Sequence, residues 1–122
     1  MKKIITLIAL IITISVSAQD TKVQKVKLDQ TKGEFVQKDL KLTEGKYIFD
    51  IHNDNAGVDV GFVLVPAGKD AANPDNHIKE AYVKNVVSEG QTESSNTVTL
   101  TKGTYTYFCP LNKTPKYTLV VE

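Results

Sequence analysis

The chain is a series of short stretches in which apolar and polar residues alternate, each ended by turn-forming residues. Side chains on a strand point alternately to its two faces, so a period of two predicts half-buried strands. Val26 and Leu28 alternate with lysines, and a turn is predicted over Gln30 to Gly33. Leu40 and Leu42 alternate with charged residues before a turn at Glu44-Gly45. Tyr47, Phe49 and Ile51 form one strand face, with Lys46, Asp50 and His52 on the other. Phe62 to Val65 is a continuous apolar run, which fits a strand buried on both faces. Val98 and Leu100 alternate with threonines, Tyr105, Tyr107 and Cys109 share a face, and Tyr117 to Val121 forms the last strand. Threonine, valine and tyrosine are common in these stretches, as strands favour.

One segment departs from this period. Asn73 is a good N-cap and Pro74 suits the first helical position. Ile78, Ala81, Tyr82 and Val86 recur at helical spacing, and Gly90 ends the unit. The pattern predicts a mostly β sandwich of about seven strands, with one short helix inserted between two central strands.

The N-terminal residues read as a targeting signal. Lys2 and Lys3 precede an apolar run from Ile4 to Ile14, and Val16-Ser17-Ala18 offers small residues for cleavage. The run is too short to span a bilayer, so residues 1–18 are expected to be a secretory signal and 19–122 a single exported domain, periplasmic or secreted. No cysteine follows the run to carry a lipid, so no membrane anchor is expected after cleavage. Losing Lys2 and Lys3 moves the formal net charge from +1 to −1. With no arginine and no basic block, the chain lacks the electrostatic footprint of nucleic-acid binding. A single cysteine excludes an internal disulfide.

Three stretches resemble the cupredoxins, the blue copper proteins. Phe35 to Leu42 with Glu44-Gly45 and Tyr47 to Ile51 resembles the family's opening strands. Asn53-Asp54-Asn55-Ala56-Gly57 followed by Phe62-Val63-Leu64 resembles the loop and strand of its first histidine ligand. Gly103 to Cys109 with Tyr117 to Val121 resembles the closing hairpin that carries the other ligands. The resemblance implies a Greek-key sandwich and an exported electron carrier or copper-handling module. It also implies a copper site of two imidazoles, a thiolate and a weak thioether. In the short-loop pattern, histidine follows the cysteine by three residues and methionine by eight. Asn112 and Tyr117 stand there, and Val60 stands where the first histidine belongs. Only Cys109 matches.

Cys109, His77 and His52 are therefore the candidate metal ligands, with copper as the cofactor such a site would take. The plainer reading makes Cys109 a small buried residue under the loop, His77 a surface or capping-turn histidine and His52 a solvent-facing one. Their spacing forms no zinc pattern. The tyrosines read as core, and Asp54, Asp59, Asp70 and Asp75 match no calcium loop. No serine elbow, phosphate loop or framed pair of carboxylates is present, so no enzyme is expected. The expectation is a cupredoxin-fold module without a type 1 copper site or other cofactor, binding a protein or small-molecule partner. The alternative is a copper carrier or electron-transfer protein using Cys109 with either histidine.

Overall fold

A computed structural model describes residues 22–122, so the expected signal segment lies outside the described residues. The described residues form nine strands: β1 (Val23–Thr31), β2 (Glu34–Phe35), β3 (Leu40–Leu42), β4 (Gly45–Asn53), β5 (Val63–Pro66), β6 (Thr92–Ser94), β7 (Val98–Leu100), β8 (Gly103–Phe108) and β9 (Tyr117–Val121). One sheet runs β2-β1-β4-β6, with β7 also paired to β4, and the other runs β3-β9-β8-β5. The β1–β4 and β3–β9 pairs are parallel and the rest antiparallel.

The alternating residues do what their period demands. Leu28, Tyr47, Phe49 and Ile51 of the first sheet meet Leu64, Tyr107, Leu119 and Val121 of the second in one buried core. The apolar run 62–65 is buried throughout. The segment after β5 lies against that strand, with Ile78 N donating to Leu64 O at 2.8 Å.

Two expectations need correcting. Gln30 is not in a turn. β1 continues through it to Thr31, in register with Asn53 of β4, and its side chain is fully buried on the face that carries Leu28. The turn shrinks to Lys32-Gly33, where Gly33 takes φ +75°, a left-handed conformation that glycine adopts freely. The predicted helix is two separate 3-10 turns, Pro74–Asn76 and Lys79–Ala81. Asn73 caps the first as expected, its side chain accepting from Asp75 N at 3.1 Å. A continuous helix fails because flanking backbone is drawn onto strands: Val83 bridges Ser95, and Val87 bridges Val60. Val87 is buried and Val86 exposed, which is the reverse of the helical expectation.

Tyr107 gives the core a measurable pH dependence. Its ring is fully buried and its hydroxyl donates to Gln37 O at 2.8 Å. Burial pushes its pKa up to about 12 from an ordinary 10.0, outweighing an opposing contribution from the Asp39 backbone, with smaller rises from the Asp39 and Tyr117 charges. The unfolded chain then loses this proton first, so stability is full below pH 10 and falls between pH 10 and 12. A shift of this size corresponds to roughly 3 kcal/mol. Urea unfolding of the wild type and Tyr107→Phe from pH 8 to 12 should show that extra loss only in the wild type. Parallel profiles for the two proteins would contradict it.

Candidate functional site

The ligand positions of the resemblance do converge at one end of the sandwich. β8 ends at Phe108, and the next residue, Cys109, keeps the inward phase of Tyr107 and is fully buried. The loop of residues 110–116 closes on itself before β9. Cys109 N donates to Thr114 Oγ1 at 2.9 Å, and Thr114 N donates back to Cys109 O at 3.2 Å. Lys113 holds φ +52° within this turn. The facing loop, residues 54–62, carries Val60 and Gly61 beneath it. Its shape is set by Asn53, whose side-chain nitrogen donates to Val58 O and Val87 O at 2.8 and 2.9 Å. Asn53 Oδ1 accepts from Ala56 N at 3.0 Å.

Each ligand position is occupied by a side chain committed to the interior. Val60 is fully buried, and its backbone pairs in both directions with Val87 at 3.0 and 2.8 Å. Asn112 is 6% exposed; its Nδ2 donates to Thr31 O at 2.7 Å and Gln30 Oε1 at 3.1 Å, and its Oδ1 accepts from Gly33 N at 2.9 Å. Tyr117 packs edge-on against Phe35 and accepts from Phe35 N at 3.3 Å. Cys109 Sγ itself accepts two backbone N–H groups, from Gly61 at 3.2 Å and Asn112 at 3.4 Å.

A type 1 copper centre does not fit this donor set. Val60 offers no donor atom, and the amide oxygen of Asn112, a hard donor, already accepts from Gly33 N. A phenol is a hard donor that suits copper(I) badly. Among the described residues, no group of three or more His, Cys, Asp or Glu side chains is placed to hold a metal ion.

The two histidines lie elsewhere. His77 stacks edge-on against Phe108, 6.4 Å between ring centroids. Phe108 and Cys109 are adjacent and point to opposite faces of their sheet, so His77 is on the outer side. Its Nε2 donates to Ala71 O at 2.7 Å, and its Nδ1 lies 2.6 Å from the Tyr82 hydroxyl. His52 is on the outer face of the other sheet, 2.9 Å from Thr92 Oγ1. The structure thus separates the three candidate ligands.

Sequence reasoning passed over Gln30, which lies at the centre of this end. A glutamine beside Thr-Lys-Gly reads as the start of a turn. The available signal was its phase, since it continues the inward series of Val26 and Leu28.

The outer surface of the loop is of a different character. Leu111 is 50% exposed and Val58 46% exposed. Three grooves meet on the Pro110–Leu111 ridge, with volumes of about 290, 230 and 350 Å³. The first is lined by His77, Phe108 and Lys116, the second by Phe62, Tyr82 and Val83, and the third by Lys32, Val58 and Lys113. No carboxylate lines any of them.

This architecture is the cupredoxin-like sandwich. The chain is similar to auracyanin B at 25% identity and a TM-score of 0.63, over 81% of this chain and 88% of that one. It also resembles auracyanin A, a blue copper protein of Chloroflexus aurantiacus, at 17% identity and a TM-score of 0.61 over 83% and 100%. The copper nitrite reductase of Nitrosomonas europaea matches at 16% and 0.59, over 83% of this chain and 42% of that one. No family model matches the chain. No curated protein matches it either. Blue copper proteins and a copper enzyme share the fold, so the fold alone does not assign an activity. No helix among the described residues is long and apolar enough to cross a membrane.

Proposed function

We propose that this chain is an exported binding module that uses the cupredoxin-like scaffold without a type 1 copper centre or catalytic activity, and that the Pro110–Leu111 ridge is its binding surface. One observation carries the reading. The side chains at 60, 112 and 117 are turned inward and satisfied, while Leu111, next to Asn112, is half exposed between three grooves. Contiguous apolar exposure at a concave surface is what marks contact sites, and the exposed Leu111 and Val58 line one groove together. Lys32, Lys113 and Lys116 line these grooves with no carboxylate among them. That charge favours a protein segment with an apolar anchor flanked by carboxylates. Export rests on Lys2-Lys3, the Ile4–Ile14 run and the small residues to Ala18. It requires a mature chain beginning at Gln19 in the exported fraction.

Copper(II) titration tests the metal half of the reading. The expected outcome is no intense thiolate charge-transfer band in the visible and no change in thermal midpoint. A stoichiometric band lost in Cys109→Ser would establish copper ligation instead. The surface half is tested by selecting peptides against the folded protein. Binders should pair apolar residues with carboxylates and lose affinity at least about tenfold with Leu111→Asp. Stability should change by no more than about 0.5 kcal/mol, as for exposed substitutions generally. Selected binders indifferent to Leu111→Asp would place binding elsewhere.

A further inference from the structure

Four residues from three segments at the loop end are closed into one hydrogen-bonded ring. Gly61 N donates to Cys109 Sγ at 3.2 Å. Gly61 O accepts from Gln30 Nε2 at 2.7 Å. Gln30 Oε1 accepts from Asn112 Nδ2 at 3.1 Å, and Asn112 N returns to Cys109 Sγ at 3.4 Å. The ring joins β1, the residue after Val60, the cysteine and the residue three beyond it. Two further bonds, to Thr31 O and from Gly33 N, tie Asn112 to the β1–β2 turn.

We infer that Gln30 and Asn112 form a side-chain clamp that fixes the Pro110–Leu111 ridge, doing with two neutral amides the mechanical work a metal–ligand bond would do at position 112. The clamp's purpose rests on the binding reading of the ridge, but its geometry does not.

Three features make it a clamp rather than incidental polarity. Both amides are buried, where an unpaired polar group is costly and a satisfied network is rigid. Both protons of Asn112 Nδ2 are used, on acceptors from two successive residues of β1, which leaves the side chain one orientation. Thirdly, the bonds span 82 residues between Gln30 and Asn112 and 31 between Gln30 and Gly61. They therefore replace contacts that the local turn cannot supply. Leu111 stands between Pro110 and Asn112, so a fixed Asn112 fixes the ridge. Gln30 and Asn112 are positioning residues for this surface and need not touch a partner.

Amide hydrogen exchange on the full exported chain tests the clamp, using Asn112→Ala, Gln30→Glu and, far from the loop, Ser95→Ala. In Asn112→Ala, exchange at Gly33 and Gly61 should accelerate about a hundredfold, given three side-chain hydrogen bonds lost, with core amides of β4 and β8 little affected. Ser95→Ala should accelerate β4 amides and leave the loop unchanged.

Gln30→Glu carries the signature that mere packing lacks. At pH 7 its carboxylate faces Gly61 O, an acceptor facing an acceptor, and the loop should open. At acid pH the neutral carboxyl O–H can donate to Gly61 O as the amide did, and protection should return after correction for intrinsic exchange. A variant that folds only at acid pH shows the same signature. Lys32 and Lys113 are the charged side chains that line the groove beside Asn112, and the wild type should lack the effect. Chelator should leave wild-type loop exchange unchanged. The clamp is overturned by loop exchange in Asn112→Ala within about threefold of wild type, by a pH-independent Gln30→Glu, or by loop opening on chelation. Intact clamp behaviour with no Leu111-dependent peptide binding would instead retire the binding reading alone.

Discussion

Phe35→Ala is expected to cost about 4 kcal/mol of unfolding free energy, since truncating a buried phenylalanine removes its transfer energy and leaves a cavity. Phe35 is fully buried although its strand is only two residues long. Its ring meets Tyr107, Tyr117 and Phe62 edge-on, with centroids 5.2, 5.6 and 6.2 Å away. Edge-on aromatic pairs add about 0.5–1.5 kcal/mol each beyond the area they bury. Tyr107 and Tyr117 are held opposite one another in the β8–β9 ladder, so they cannot move in to fill the gap. Phe35 thus carries the first sheet's edge across to the second. The thermal midpoint should drop by about 15–30 °C, at 4–8 °C per kcal/mol for a domain of this size. Phe35→Leu should cost roughly half as much, because it keeps most of the volume. A urea-derived loss below about 1.5 kcal/mol for Phe35→Ala would show that the site collapses and that the aromatic cluster is not rigid. The end of the sandwich should also loosen, because Tyr117 begins β9 immediately after the loop of Cys109 and Asn112.

How far the sequence was readable depended on whether a residue's partner was an apolar face or another polar group. Tyr47, Phe49, Ile51 and Tyr107 declared their faces through period two, because apolar burial depends only on phase. The frame of Cys109 was readable too, as the inward residue after Tyr107. Gln30 was not. A buried amide is favourable only when its partners exist, and those partners, Gly61 and Asn112, are 31 and 82 residues away. No local pattern encodes them. The segment 73–87 failed for a related reason. Its 3.6-residue spacing was genuine, and the Asn73 cap formed as expected. The decisive competitors were Leu64 O, Ser95 and Val60, which took the segment's backbone into sheet-like bonds. Propensity gives way when tertiary hydrogen bonds are available.

The same logic gives Asn53 its large expected effect. Asn53→Ala should cost about 3 kcal/mol, since each buried group stripped of its partner costs about 1–3 kcal/mol. The side chain is fully buried and serves three backbone groups: Val58 O, Val87 O and Ala56 N. Val87 O keeps its second partner, Val60 N, so the sum stays below three full penalties. The loss is local in origin. Asn53 ties residues 56–58 and 87 to the end of β4, and Val60 and Gly61 follow directly from that loop. Without it, Gly61 should lose its alignment with both Gln30 and Cys109. Asn53→Ala and Asn112→Ala should therefore be non-additive, because each opens the same ring and the second substitution finds less left to break. Neighbouring Asp54 tests the specificity of the effect. It is exposed, its backbone N–H bonds Gln30 O whatever its side chain, and Asp54→Ala should stay within about 0.5 kcal/mol of wild type. Urea unfolding of the four variants decides the matter. A loss under about 1 kcal/mol for Asn53→Ala, or simple additivity with Asn112→Ala, would mean that the two loops are held independently. A metal ion joins loops by bonding to both, and in this chain that role would fall to amide hydrogen bonds rooted in Asn53, Gln30 and Asn112.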